Sequence, residues 1–109
     1  MAEYGEWTRK GATLSHVTAR KEYGVDSDFL VKGIKAGKLE YREAAVHGNQ
    51  YIRVLRSQLE GYIVEQLGDE YLHMWQERTE LSKIKQEMTK LRKRLDELAT
   101  RKAEIEGRH

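Results

Sequence analysis

The 109-residue sequence predicts a mainly α protein with a small β-hairpin wing, followed by one long coiled-coil helix. Pro is absent and charged residues make up 35% of the chain, which suits helices because Pro is the residue that disrupts helix interiors most. Eight of the nine glycines lie at or before Gly68, and residues 69–104 contain none. We therefore predict a domain of short elements over residues 1–67 and a long helix over residues 69–104.

The first domain begins with two short helices joined by a tight turn. Ser15 is a good N-cap for the first helix, and Gly24 ends it because glycine adopts the left-handed cap conformation without strain. Asp26 or Ser27 begins the second helix, and Gly37 ends it. The second helix carries apolar residues at a spacing of three to four, so one of its faces packs inward.

A β-hairpin and a third helix follow. Two extended runs are predicted: 38–46 holds Leu39 and Tyr41, and 50–55 alternates between apolar and polar residues. The turn residues His47-Gly48-Asn49 lie between them. Ser57 is then expected to cap a third helix. The order helix, turn, helix, hairpin, helix is that of a winged helix-turn-helix domain.

Two segments carry a more specific pattern, Ile34-Lys35-Ala36-Gly37-Lys38-Leu39 and Arg56-Ser57-Gln58-Leu59-Glu60-Gly61-Tyr62-Ile63. With Gly24-Val25 and Tyr51-Ile52-Arg53-Val54, they resemble the excisionase-type helix-turn-helix domain, which is related to the DNA-binding domain of MerR regulators. The resemblance runs from Leu14 to Ile63, about half of the chain. It implies double-stranded DNA as a partner.

The resemblance also implies which side chains contact DNA. The second helix would enter the major groove with the outward face that holds Ser27, Asp28, Val31, Lys32 and Lys35. The hairpin would contribute Arg42, His47, Asn49, Gln50 and Arg53. Arg53 would contact the phosphate backbone, and the hairpin tip would reach the adjacent minor groove. The alternative for the two lysines is an ordinary solvated helix face, and the alternative for the tip is simply a good turn.

From residue 81 the long helix has a regular heptad pattern. The a positions are Leu81, Met88 and Leu95, and the d positions are Ile84, Leu91 and Leu98. The outer positions are polar, so an isolated helix would expose an apolar stripe. We expect a homodimer through residues 69–104; a different protein partner, or packing back onto the first domain, are the alternatives.

The flanking charges leave the orientation of such a dimer open. Parallel pairing would bring Glu80 and Glu87 toward Lys85 and Arg92 of the second copy. Antiparallel pairing would bring the same two glutamates toward other arginines but would set Lys85 against Arg92. The resemblance to MerR regulators implies antiparallel helices.

The last residues, 105–109, carry a pattern unrelated to the two predicted regions. Ile105-Glu106-Gly107-Arg108 followed by His109 resembles a factor Xa cleavage sequence leading into a polyhistidine tag, and we interpret it as a protease-site and tag remnant. The alternative is a natural helix end with Gly107 just beyond the last turn.

Several classes of function find no support in the sequence. There is no Cys, no nucleotide-binding or hydrolase motif, and only a single Glu70–His73 pair at metal-ligand spacing. We therefore expect no catalysis, no metal, no cofactor and no small-molecule effector. The longest apolar runs have three residues and the N-terminus lacks a signal-peptide pattern, so we expect no membrane association and a cytoplasmic location.

Together these observations predict a dimeric, sequence-specific DNA-binding protein, either a transcriptional regulator or an excisionase-like or phage DNA-binding accessory factor. The rival hypothesis is an adaptor that binds proteins through its coiled coil, and the near balance of 10 basic and 9 acidic residues over 1–67 supports it. Grouping of Lys32, Lys35, Arg42 and Arg53 on one face would favour DNA, and their dispersal would favour the adaptor.

Overall fold

The computed structural model describes the backbone of residues 4–108, and the side chains in that range except those of Tyr4 and Val46. It is mainly helical, with a small antiparallel sheet and a long C-terminal helix. A short 3-10 helix, Tyr4–Thr8, is followed by β1 (Thr13–Ser15), α1 (His16–Tyr23), α2 (Ser27–Lys35), β2 (Tyr41–Val46), β3 (Asn49–Leu55), α3 (Arg56–Leu67) and α4 (Asp69–Glu106).

The chain forms two compact units, one up to Glu77 and one from Arg78 onward. Gly68, at φ +94°, separates α3 from α4, so two distinct helices are present rather than one bent helix. The boundary between the units nevertheless falls two turns into α4, since Tyr71 and Leu72 pack against the core of the first unit. α4 also continues two residues beyond its predicted end, into the segment that resembles a protease site.

The helix ends follow the local signals in the sequence, with one exception. The side chains of Ser15 and Asp26 accept hydrogen bonds from the amides of the first turns of α1 and α2, at 3.2 and 2.9 Å. Gly24 ends α1 in the left-handed conformation at φ +70°. The prediction that Ser57 caps α3 is wrong, because the helix already begins at Arg56 and the Ser57 hydroxyl donates to Glu6 instead, at 2.8 Å.

The sheet has three strands in the order β1-β3-β2, all antiparallel. The hairpin turn contains only His47 and Gly48, both with positive φ, as a two-residue type I′ turn requires. Asn49 is therefore the first residue of β3, paired with Val46, rather than part of the turn. β1, which pairs with the C-terminal end of β3, was not predicted from the sequence.

The core of the first unit lies between the sheet and the helices. Its buried members are Leu14, Ala19, Tyr23, Val25, Leu30, Leu39, Val54, Leu59, Tyr62 and Ile63. The position of α2 depends on close packing, because the Gly33 backbone approaches Leu39 and Tyr62 so closely that a Cβ would lie 2.6 Å from a Leu39 methyl carbon. The rings of Phe29 and Tyr62 also pack together, with centroids 4.8 Å apart. These contacts fix which side of α2 faces outward.

A polar network ties the helices of the first unit together around Tyr23. Its hydroxyl donates to Glu60 at 2.7 Å and accepts from Arg56 at 2.8 Å. The hydroxyl of Tyr71 in α4 donates to the Tyr23 carbonyl at 2.8 Å. Burial, together with the hydrogen bond to Glu60, raises the pKa of Tyr23 to about 12.

The second unit, described to residue 108, consists of the remainder of α4. Its heptad a and d side chains are all exposed in the single chain. Ion pairs join Arg94 to Glu97 and Arg101 to Glu104 one turn apart, at 3.4 and 3.2 Å. Across residues 4–108, no helix combines the length and the apolarity that crossing a membrane would require.

Candidate nucleic-acid interface

The outward face of α2 is a continuous exposed surface. Leu30 and Gly33 are buried against the core, and the helical repeat turns the opposite side to solvent. That side carries the five residues that the sequence analysis selected: Ser27, Asp28, Lys32 and Lys35 are exposed, and Val31 is partly exposed. The selected residues of α2 therefore do share one face. We call this surface the α2 face.

A shallow groove joins the beginning of α2 to the hairpin. It is lined by His16, Ser27, Glu43, Gln50, Tyr51 and Ile52. Ser27 and Gln50, which the sequence analysis selected on separate elements, thus lie along one groove. Of the hairpin side chains at the groove, Glu43 and Gln50 lie on the same side of the sheet as Ile52, which packs against the core, whereas Tyr51 alternates to the other side.

His16 is a groove residue that the sequence analysis missed. Its Nδ1 accepts a hydrogen bond from the Ile52 amide at 3.4 Å, and its ring lies 5.7 Å from that of Tyr51. Because Nδ1 is the acceptor, the neutral imidazole carries its proton on Nε2, which makes that nitrogen a donor. No local signal could have identified His16, since it reaches the groove only through the pairing of β1 with β3.

Arg42 and Arg53 lie on the other side of the sheet. They pair directly with each other in the β2–β3 register. Val54, the residue after Arg53, is buried and pairs with the buried Leu14, which marks the core side of the sheet. Since neighbouring residues of a strand point to opposite faces, both arginines point away from the α2 side. The structure therefore does not group them with Lys32 and Lys35.

Both arginines have partners within the chain. Arg53 donates to the Thr13 hydroxyl from Nε at 3.3 Å and from Nη2 at 2.9 Å. The Arg42 guanidinium lies over the Trp7 ring, 4.4 Å from its centroid, in a cation–π contact. These contacts give the two arginines a structural role on the back of the sheet. Both arginine side chains are therefore engaged on the side of the sheet that faces away from α2.

The tip of the hairpin is exposed. His47, Asn49 and Gln50 are all open to solvent, and the turn holds them at one end of the β2–β3 ladder. All three side chains carry hydrogen-bonding groups that suit phosphates, sugars or base edges. The three predicted tip residues are therefore accessible to a partner.

The charges of the α2 face are mixed. Lys32 and Lys35 form no ion pair with any residue between 4 and 108, whereas the nearby Lys38 pairs with Glu65 at 3.5 Å. Asp28 on the same face, and Glu43 in the groove, add negative charge. Such a surface offers donors for phosphate or guanine and acceptors for a cytosine amino group. Among the described residues, no cluster of His, Asp or Glu has the arrangement of a metal site.

Comparison with known proteins returns no match. No protein-family model matches the chain, and no curated protein or solved structure matches it significantly. A functional hypothesis therefore depends on the α2 face, the groove and the hairpin tip.

Proposed function

We propose that the first unit is a winged helix-turn-helix domain that binds double-stranded DNA, with α2 in the major groove. One observation carries the proposal: the α2 face is exposed and continues through the groove to the hairpin, so a helix and a neighbouring hairpin present one surface. A major groove about 12 Å wide admits an α-helix, and the N-terminal residues of a recognition helix read base edges there.

The residues of the α2 face suit this role chemically. Lys32 and Lys35 would donate to guanine acceptors or to phosphates. Val31 would contact a thymine methyl group, and Asp28 would accept from a cytosine amino group. A carboxylate also repels phosphates, so Asp28 favours selective over non-specific binding.

The hairpin tip would act as the wing. His47, Asn49 and Gln50 would contact the backbone or the adjacent minor groove, where donors and acceptors read a degenerate pattern. We add the Nε2–H of His16 as a donor to phosphate, since it lies along the groove. Arg42 and Arg53 are left out of the proposed contact surface because of their partners on the back of the sheet.

Few cations take part, so a single domain would bind weakly. A homodimer through the second unit would strengthen binding, because the second contact then occurs at a high effective concentration. We propose that the protein acts as a dimeric, sequence-specific regulator of transcription or as an accessory factor in recombination or packaging of DNA.

The placement of Arg42 and Arg53 favours a second candidate, an adaptor that binds a protein. Their dispersal from Lys32 and Lys35, together with the near balance of 10 basic and 9 acidic residues over 1–67, reduces the positive field that attracts DNA. In this alternative the coiled coil is the main functional element.

Fluorescence anisotropy of a labelled duplex of random sequence, titrated with the full chain at low and moderate salt, tests the proposal. We expect micromolar binding that weakens as salt rises. Replacing a lysine that contacts phosphate lowers the slope of log K against log salt by about 0.9. Lys32→Ala and Lys35→Ala should each do this if they contact phosphate.

Lys38→Ala is the matched control, since Lys38 is a neighbouring lysine whose ammonium group pairs with Glu65. It should leave the salt dependence nearly unchanged. Absence of binding at low salt would overturn the DNA hypothesis, because non-specific affinity does not require the correct sequence. Equal effects of Lys32→Ala and Lys38→Ala would remove the special role of the α2 face.

A further inference from the structure

We propose that the apolar stripe of the second unit is occupied by a second copy of this chain, with the two α4 helices parallel. This inference rests on the self-association included in the proposed function and adds its orientation. Parallel alignment is the arrangement opposite to the one that the family resemblance implies, and it follows from the ion pairs of α4.

The stripe is extensive and open. Its six side chains are between 46% and 66% exposed in the single chain: Leu81, Ile84, Met88, Leu91, Leu95 and Leu98. Exposed apolar patches that are this continuous mark interaction sites. An identical helix fits the stripe, since its side chains repeat at the same heptad spacing.

The charges beside the stripe are complementary in a parallel dimer. Position g of one helix lies beside position e of the next heptad on its partner, so Glu80 meets Lys85 of the second copy and Glu87 meets Arg92 of the second copy. The twofold symmetry of the dimer doubles both pairs. None of these four residues forms an ion pair within residues 4–108, so all four are available to a partner.

The antiparallel arrangement uses charges that are already paired. With the apolar layers aligned, Glu80 would meet Arg101 of the second copy and Glu87 would meet Arg94 of the second copy. Both arginines are bound within their own helix, to Glu104 at 3.2 Å and to Glu97 at 3.4 Å.

Antiparallel alignment also creates a repulsion. It would place Lys85 beside Arg92 of the second copy, and by symmetry twice, whereas parallel alignment brings no like charges together at positions e and g between residues 80 and 98. Both arrangements use the same six apolar side chains of the stripe. The balance of pairing and repulsion therefore favours the parallel dimer.

Parallel alignment places the N-terminal ends of the two stripes side by side. Because each first unit precedes its stripe directly in the chain, both DNA-binding domains would be attached at the same end of the coiled coil. A short DNA site with two closely spaced halves would then suit the dimer.

The absence of Cys from the sequence allows a direct test by disulfide formation in the full chain. Leu98→Cys and Ile84→Cys place single thiols at d positions near the two ends of the stripe. In a parallel dimer each d residue faces its own copy, with Cα atoms within the roughly 4.4–6.8 Å that a disulfide spans. Each variant should form self-linked dimers in a glutathione buffer at least about tenfold more readily than Thr100→Cys, because the seam gives its thiols a high effective concentration.

Thr100→Cys is the control because Thr100 lies on the outer face of the helix, at position f. A mixture of Leu81→Cys and Leu98→Cys chains tests the other orientation, since those residues would face each other only in an antiparallel dimer. Preferential linkage between the two different variants would overturn the parallel arrangement. Circular dichroism of the reduced proteins shows whether the helix is retained.

Sedimentation equilibrium of the unmodified chain completes the test. A dimer at micromolar concentration supports the inference, and a monomer at tens of micromolar overturns it. Failure of the DNA hypothesis would be seen separately, as self-linked Leu98→Cys dimers that do not bind the random duplex. A chain that binds DNA as a monomer would leave the first proposal standing and reject this one.

Discussion

The indole ring of Trp75 lies directly against the backbone of Gly24. A Cβ added at Gly24 would overlap the six-membered ring of the indole, and Gly24 also has a positive φ of +70°. Two independent constraints therefore require glycine at the turn between α1 and α2. The contact also brings the first turns of α4 into the first unit, together with the hydrogen bond from Tyr71 to Tyr23.

Gly24→Ala should lower the free energy of unfolding by about 2–5 kcal/mol, the sum of left-handed backbone strain and overpacking against Trp75. Denaturant unfolding measures the effect. Gly37→Ala is the matched control, because Gly37 has a similar φ of +74° but open space at its Cβ position. A loss no larger than that of Gly37→Ala would show that the Trp75 contact contributes nothing.

Replacing each of two helix glycines with Ala should change the stability of the protein in opposite directions. Gly33→Ala should destabilise the first unit, since the added methyl group would lie 2.6 Å from a Leu39 carbon and 3.0 Å from a Tyr62 carbon. Contacts this short put the overpacking cost in the upper part of the range of about 1–3 kcal/mol, which exceeds the gain in helix propensity of about 1 kcal/mol. Gly61→Ala, on the exposed side of α3 with open space around it, should instead stabilise by about 0.5–1 kcal/mol.

Thermal or denaturant unfolding of the two variants decides this. If Gly33→Ala stabilised the protein as much as Gly61→Ala, the close packing that orients α2 would be refuted. The comparison also bears on function, since the same packing directs the α2 face outward.

Stability should decline at alkaline pH because of Tyr23. Its pKa is raised from 10.0 to about 12 in the folded chain, mainly by burial and also by the hydrogen bond to Glu60. Because the pKa of Tyr23 is higher in the folded chain than in the unfolded chain, the stability that its protonated hydroxyl contributes is complete below pH 10. This stability is lost as the pH rises from 10 to about 12. The unfolded chain loses the phenol proton first, which favours unfolding.

Tyr23→Phe removes this titration. The difference in unfolding free energy between the unmodified chain and Tyr23→Phe should shrink as the pH is raised from 10 to about 12. Urea unfolding at several pH values measures it. A difference that stays constant over this range would mean that Tyr23 does not control the alkaline transition.

Asp28→Asn should tighten binding to random duplex DNA. The exposed Asp28 carboxylate shares the α2 face with Lys32 and Lys35, so its removal reduces repulsion of phosphate. The stability cost should stay within about 0.3–1 kcal/mol, the value of a first-turn acidic residue at a helix N-terminus. Asp69→Asn removes the same charge from the first turn of α4 and serves as the control in the anisotropy titration. Equal gains from both variants would indicate a net-charge effect rather than contact with the α2 face.

Features that depend on neighbouring residues were predictable from the sequence. The N-caps Ser15 and Asp26, the glycine that ends α1, and the exposed heptad stripe of α4 all follow from short-range rules, because each involves atoms only a few positions apart. The hairpin was also predicted, although its turn is shorter than predicted, since only His47 and Gly48 form it and Asn49 already belongs to β3.

Which side chains share a surface depends instead on tertiary contacts. The pairing of β1 with β3 joins Leu14 to Val54, brings His16 to the groove, and leaves Arg42 and Arg53 on the back of the sheet. Alternation along a strand gives two faces, but which face meets the core depends on contacts between residues far apart in the chain. The prediction that Ser57 caps α3 failed for a related reason. The Arg56 amide donates to the Ala12 carbonyl at 2.8 Å, and the helix begins at Arg56, two residues earlier than a cap at Ser57 would place it.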